Sequence, residues 1–94
     1  MLSERIKLLR LSYSMSQVDL AKKLNVTKQS VSNWENDNIQ PSIEMLVNMS
    51  KVFSVSTDYL LGLEDHRYID ASGLSDTQIA HIQNIINDIK QKKN

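Results

Sequence analysis

The sequence predicts an all-α protein with five short helices in residues 1–62 and one longer amphipathic helix near the end of the chain. Apolar side chains recur every three or four positions, which is the period of a helix with one buried face. Only two glycines and one proline occur among the 94 residues, so few positions interrupt that period. Serine or threonine precedes most of the periodic runs, as is typical of helix N-caps.

The first two helices are predicted from their caps and their apolar stripes. Ser3 is expected to cap a helix that runs to about Tyr13. Ser16 and Asp19 match a capping box at the start of the second helix, because a hydroxyl and a carboxylate three residues apart satisfy two free backbone N–H groups. The buried stripe of the first helix is predicted to contain Ile6, Leu9 and Tyr13, widened by Leu8 and Leu11.

The third helix repeats this pattern, with Thr27 as its N-cap, and its junction with the second helix is tight. Ala21 is small enough to let the two helices approach each other. Asn25 lies in the turn, where a left-handed backbone is usual and Asn is well tolerated. Val31 points back into the junction. The opposite, polar face of the third helix then consists of Lys28, Gln29, Ser32 and Asn33.

Two further helices complete the predicted domain, which we assign to residues 1–62. Pro41 and Ser42 begin the fourth helix, and residues 55–61 form a short fifth helix. Gly62 ends this helix as a C-terminal glycine cap. The inward face of the fourth helix is predicted to be Met45, Leu46, Met49, Val52 and Phe53.

The remainder of the chain is predicted to be a linker and a final helix. Residues 63–74 show no clean period and form the linker, in which no small-molecule pocket is evident. The segment 75–94 begins with Ser75 as N-cap, and Gln78 closes a capping box. An isoleucine stripe follows, spaced three, four and three residues apart, at Ile79, Ile82, Ile86 and Ile89.

Composition limits the classes of function. Hydrophobic residues make up 40% of the chain, enough for one small core. The 11 basic and 11 acidic residues cancel, which excludes a strongly basic nucleic-acid-binding protein. No cysteine is present, so neither a disulfide framework nor a thiolate zinc site is available. We find no signal peptide or membrane span and expect a cytoplasmic protein.

Five stretches of sequence carry a resemblance to a known family: Arg5-Ile6-Lys7-x-Leu9-Arg10, Ser16-Gln17-x-x-Leu20-Ala21-x-x-Leu24-x-Val26-Thr27, Val31-Ser32-x-Trp34-Glu35, Pro41-Ser42-x-x-x-Leu46 and Val55-Ser56-x-Asp58-x-Leu60-Leu61. Together they resemble the phage-repressor-like DNA-binding domain of the Cro/repressor-type (XRE-like) helix-turn-helix transcriptional regulators of bacteria and phages. Two positions depart from the family pattern. Asn25 stands where the family usually has Gly, and Ser50 where it usually has Ala, and both changes are compatible with the fold.

The resemblance implies that the third helix lies in the major groove of double-stranded DNA while the second crosses the backbone. The implied base-contacting residues are Lys28, Gln29, Ser32 and Asn33, whose side chains can donate to guanine or pair with adenine. The implied phosphate-contacting residues are Gln17, Thr27, Ser30, Asn36 and Asn38. The family also brings Arg10 and Glu35 together, so we expect a structural ion pair between the first and third helices.

Other interpretations of single residues are less specific. Gln29 and Asn33 are also compatible with plain solvated helix surface. Trp34 could stack on a base, but its place on the apolar face favours core packing. His66 and His81 lack the spacing of metal ligands, and there is no nucleophile elbow or glycine-rich phosphate loop. We therefore predict no metal, no cofactor and no catalysis.

The isoleucine stripe leaves three alternatives open. A helix of this length is too short to be stable alone in water, so its stripe must be buried. The spacing suits a seam between two helices, and the family binds inverted-repeat operators as symmetric dimers, which favours homodimerisation through the stripe. The helix could instead pack on its own domain. It could also dock on another protein, as in the antitoxin of a toxin pair, with DNA binding secondary.

Overall fold

The computed structural model describes residues 1–92, so Lys93 and Asn94, the end of the predicted 75–94 segment, lie outside it. Over that range the chain is helical without strands, and the all-α prediction is confirmed. The helices are α1 (Leu2–Ser12), α2 (Gln17–Leu24), α3 (Lys28–Glu35), α4 (Ile43–Phe53), α5 (Thr57–Leu60) and α6 (Asp76–Gln91).

The N-caps that the sequence predicts are mostly confirmed. The hydroxyls of Ser16, Thr27 and Ser75 each accept the backbone N–H three residues on, at 3.0–3.1 Å. Ser42 and Ser56 do the same for α4 and α5. The capping boxes are complete, because the side chains of Asp19 and Gln78 accept the N–H of their own N-cap residues at 2.9 and 3.0 Å.

The prediction for α1 is wrong at three points. Tyr13 is not part of the buried stripe, because it lies just after the helix and is 44% exposed. Ser3 is not its N-cap, because the helix already begins at Leu2: the backbone N–H of Arg5 donates to the carbonyl of Met1 at 3.1 Å. Leu8 and Leu11 do not widen the buried stripe and are 64% and 53% exposed. The third buried position on this helix, after Ile6 and Leu9, is taken instead by Arg10.

The first five helices end in the same type of C-terminal cap. At one or two positions beyond the last residue of each helix, the chain adopts a left-handed backbone, with φ between +52° and +79°. The next N–H then bonds to a carbonyl five residues back, at 2.8–3.0 Å, as in a Schellman motif. The predicted turn residue Asn25 and the predicted cap Gly62 are among them. The left-handed residues are Ser14, Asn25, Asp37, Ser54 and Gly62.

The core lies where α1 to α5 meet. α3 packs against α1 and α2, while α4 packs against α2 and α5. Ala21 and Val31, at the α2–α3 junction, are 4% and 0% exposed. Trp34 is buried, as its place on the apolar face predicts. The buried apolar side chains are Ile6, Leu9, Leu20, Ala21, Leu24, Val31, Trp34, Met49, Phe53 and Leu60.

α6 stands apart from this core. The radius of gyration is 15.5 Å, against about 12 Å for a compact chain of this length. No side chain of α6 is buried over the described part of the helix. Within residues 1–92, no helix combines the length and the apolarity needed to cross a membrane.

Candidate nucleic-acid interface

The polar face of α3 is the centre of the candidate interface. Val31 and Trp34 point into the core and hold the helix against α1 and α2. Residues three or four apart share a face of a helix. Since Val31 and Trp34 take the face towards the core, the side chains on the opposite face are left to solvent. Lys28 and Gln29 are exposed, and Ser32 and Asn33 are half-buried. All four predicted base-contacting residues therefore lie on the side of α3 that faces away from the core.

Gln29 and Asn33 form one amide pair on that face. The Nε2 of Gln29 donates to the Oδ1 of Asn33 at 3.1 Å. An amide nitrogen carries two hydrogens, so Gln29 keeps one N–H and its carbonyl oxygen for another partner. Those are the two groups that a bidentate pair with adenine requires. The bond between the two residues restricts the rotamers of both before any ligand arrives.

The N-terminal end of α3 combines two hydroxyls. Thr27 Oγ1 accepts the backbone N–H of Ser30 at 3.1 Å, and the Thr27 and Ser30 hydroxyls lie 3.0 Å apart. Free N–H groups and the helix dipole give such an end a partial positive charge. Lys28 adds a full charge here, and Lys22 and Lys23 lie exposed at the end of α2. These two lysines are not among the predicted contacts, although the sequence shows their position beside the turn.

The C-terminal end of α3 carries two more of the predicted phosphate contacts, Asn36 and Asn38. The backbone N–H groups of Asn36 and Asn38 are already used, since they donate to the carbonyls of Ser32 and Asn33 at 2.9 Å. Only the side-chain amides of the two asparagines remain as donors. The Nδ2 of Asn36 also donates to Ser32 Oγ at 3.3 Å, which leaves its second hydrogen. Both asparagines are exposed.

A buried ion pair connects this interface to the core. Arg10 donates to both carboxylate oxygens of Glu35, at 2.7 and 3.0 Å, and to the carbonyl of Met15 at 2.8 Å. Hydrogen bonding of Arg10 to the Glu35 carboxylate raises the pKa of the guanidinium. Gln17 joins the pair, because its Nε2 donates to Glu35 Oε1 at 3.1 Å. The sequence offered no signal for this third member.

The isoleucine stripe of α6 lies outside the interface and is partly exposed to solvent. Ile79 and Ile82 are 38% and 39% exposed, and Ile89 is 63% exposed. Ile86 is half-buried. The linker residues Arg67, Tyr68 and Ile69 line a groove beside the stripe. In the described part of the chain, α6 therefore keeps an apolar face that is only partly covered.

Comparison with known proteins gives one family and several relatives. The helix-turn-helix family model matches residues 6–60. The chain is 38% identical over 64 residues to the HTH-type transcriptional regulator ImmR of Bacillus subtilis (strain 168). That alignment covers 68% of this chain and 50% of ImmR, so the chain spans about half the length of this curated relative.

Two solved structures are similar to the fold. The P22 c2 repressor in complex with synthetic operator 9T has a TM-score of 0.64 and 33% identity, over 68% of this chain and 97% of that one. A chain of the SinR–SinI protein complex has a TM-score of 0.63 and 30% identity, over 97% of this chain and 99% of that one. The first similarity covers about two thirds of this chain, whereas the second extends over nearly the whole chain.

Proposed function

The chain belongs to the helix-turn-helix family, and from this premise we propose that it is a sequence-specific regulator of transcription that binds double-stranded operator DNA. The observation that carries the proposal is the polar face of α3, held rigidly by Val31 and Trp34 on its other side. Repression is the simplest mode of action, because a protein bound across a promoter blocks it without further parts. The names of the relatives, a transcriptional regulator and an operator-bound phage repressor, support this.

The proposed division of labour on DNA follows the geometry of α3. Lys28, Gln29, Ser32 and Asn33 contact base edges in the major groove, where lysine suits guanine and the amides suit adenine. The second set fixes the register of the protein by contacting phosphates. It comprises Gln17, Thr27, Ser30, Asn36 and Asn38. Because the chain has no net charge, affinity depends on these placed donors more than on a general positive field.

We further propose that two copies bind an inverted-repeat operator as a homodimer joined through α6. Exposed isoleucines at Ile79, Ile82 and Ile89 leave an apolar face that water does not favour. Their spacing fits a seam between two helices. Joining two weakly binding domains raises apparent affinity by about 10²–10⁴ without any new DNA contact. Because the operator DNA lies in the cytoplasm, we propose that the protein acts there.

Selection from random double-stranded DNA, followed by gel shift, tests the DNA-binding proposal. We expect one inverted-repeat sequence to outcompete bulk genomic DNA at moderate salt. Specific binding usually exceeds non-specific binding by about 10³–10⁷. If no selected sequence outcompetes bulk DNA, the protein is not a specific regulator and the proposal is wrong.

Sedimentation of the full chain tests the homodimer. We expect the wild type to be a dimer and Ile82→Asp to be a monomer, because a charge in an apolar seam must be desolvated. Ile43→Asp is the matched control: Ile43 is 81% exposed on α4, outside the stripe, and its variant should remain dimeric. A wild-type monomer that dimerises only with another protein would instead favour the interaction-module alternative. The relatives, named as transcriptional regulators, give that antitoxin alternative no support.

A further inference from the structure

The linker leaves the DNA-binding domain from a defined point and docks at once on α5. The Schellman cap at Gly62 sets its direction, with the N–H of Leu63 donating to the carbonyl of Asp58 at 2.8 Å. Glu64 then accepts a hydrogen bond from the hydroxyl of Ser56 at 3.0 Å. That hydroxyl also accepts the N–H of Tyr59 as the N-cap of α5. Glu64 is therefore tied to a group that the helix itself holds in place.

Tyr59 provides the second docking point. Its ring is fixed to α1 by Arg5, whose guanidinium lies 4.2 Å from the ring centroid and donates to the Tyr59 carbonyl at 2.6 Å. Arg67 of the linker lies 5.4 Å from the same centroid. A guanidinium within about 6 Å of an aromatic centroid is attracted to the ring. Arg67 thus binds a ring that the domain already positions.

The same linker segment borders both the domain and α6. Residues 66–70 line an open groove of about 870 Å³ against Tyr13, Tyr59 and residues 54–56. Residues 67–69 also line a groove of about 290 Å³ against the isoleucine stripe of α6. Since no side chain in the described part of α6 is buried, the docked linker is what orients this helix relative to α3.

We propose that Glu64 and Arg67 are spacing-determining residues. By holding the linker on α5, they set the distance and rotation between the two α3 helices of the dimer, and so the half-site spacing that the protein accepts. This inference rests on the proposed homodimer through α6.

Because of the geometry of DNA, docking of the linker affects which half-site spacings the dimer can bind. Two α3 helices must enter major grooves about 34–36 Å apart on one side of the duplex. One added base pair rotates a half-site by about 34° about the DNA axis, so a rigid dimer discriminates between spacings. Fully extended, the undocked linker of residues 63–74 would reach about 40 Å. A dimer with free linkers would therefore tolerate many spacings.

The test is a gel-shift series on operators in which base pairs are inserted between two selected half-sites. The double variant Glu64→Ala/Arg67→Ala leaves the net charge unchanged. Asp65→Ala is the control in the same linker, and its change of one charge cancels when two spacings are compared on the same variant. We expect the wild type and Asp65→Ala to favour the best spacing over two inserted base pairs by about tenfold or more. The double variant should reduce this ratio to about threefold or less while remaining dimeric in sedimentation.

Each result has a distinct meaning. A dimeric double variant that keeps the wild-type spacing profile overturns the role of Glu64 and Arg67 and leaves the homodimer intact. A monomeric wild type overturns the homodimer, and the spacing inference with it. Urea unfolding, followed by Trp34 fluorescence, checks that the variants fold. If the double variant does not fold, the single variants are tested instead. Each should lower the preference for the best spacing part of the way. An unchanged preference in both would overturn the proposal.

Discussion

Arg10 and Glu35 share two hydrogen bonds, of 2.7 and 3.0 Å, across the interface between α1 and α3. The Arg10 residue is 7% exposed, and its remaining terminal nitrogen bonds to the carbonyl of Met15. The same carboxylate accepts a hydrogen bond from Gln17 at the start of α2. One buried charge pair therefore joins α1, α2 and α3.

We predict that removing either member of this pair is costly and that removing both is much less so. Arg10→Met or Glu35→Leu alone should lower the free energy of unfolding by about 3–5 kcal/mol, because the remaining charge stays buried without a partner. The double variant should be clearly more stable than the sum of the two losses implies. Trp34, the single tryptophan and 6% exposed, reports urea unfolding by fluorescence.

The double-variant cycle has a clear contrary result. If the double variant loses as much free energy of unfolding as the two single variants together, within about 0.5 kcal/mol, the two residues act independently, as distant sites do. A single variant that is already unfolded without urea is also informative. In that case the second substitution should restore a folded protein.

We predict that glycine at the left-handed C-cap positions stabilises the protein. Ser14 and Ser54 have φ values of +57° and +52°, a conformation that costs an L-residue about 1–2 kcal/mol and glycine very little. After the greater flexibility of glycine in the unfolded chain is subtracted, Ser14→Gly and Ser54→Gly should each gain roughly 0.5–1 kcal/mol in urea unfolding. Ser12→Gly, at the last helical residue of α1, is the control and should destabilise. A loss in both cap variants would contradict the prediction.

These caps show what local sequence can and cannot predict. N-caps were predictable because a serine or threonine hydroxyl and the N–H three residues on are close in the chain, as at Ser16 and Thr27. Asn25 and Gly62 were predictable because asparagine and glycine favour the left-handed region. Ser14 and Ser54 were not, since serine has no such preference and its conformation there depends on how the flanking helices pack.

The same limit applies to the stripe of α1 and to the candidate site. Helical period alone placed Leu8 and Leu11 beside the buried face, but contact with α3 and α5 decides which arc is covered, and Arg10 occupies it. The polar face of α3 follows from its period. The hydrogen bond between Gln17 and Glu35 could not be predicted from the helical period, because it joins residues 18 positions apart on different helices.

Acid should weaken the α2 capping box. The carboxylate of Asp19 accepts the backbone N–H of Ser16, and this bond, together with the Ser16 hydroxyl, lowers its pKa below the ordinary value. Because the pKa of Asp19 is lower in the folded state, its ionised carboxylate stabilises the fold above about pH 4. This stabilisation is lost as the pH falls through the folded-state pKa. Asp19→Asn should therefore lower the thermal midpoint at pH 7, with a smaller difference near pH 3. An equal difference at both pH values would exclude this cause.

Gln29 and Gln17 should have different effects on DNA binding, although both are glutamines near the same surface. Gln29 lies on the outer face of α3 and keeps the two polar groups that a base pair can bind. Gln29→Ala should cost about 1–3 kcal/mol on the selected operator and relax the preference at one base-pair position. Gln17, anchored on Glu35, should act on the phosphate backbone, so Gln17→Ala should weaken all sequences alike and leave the preference unchanged.

Gln83→Ala is the control for this comparison, because Gln83 forms the same type of amide pair, with Asn87 on α6, at 3.0 Å. This variant should bind like the wild type. Affinity for the operator and for each single-base-pair variant of it, measured at one salt concentration, separates the two effects. A uniform loss for both Gln29→Ala and Gln17→Ala would show that α3 positions the protein but does not select sequence. Base selection would then have to come from elsewhere, such as the deformability of the operator.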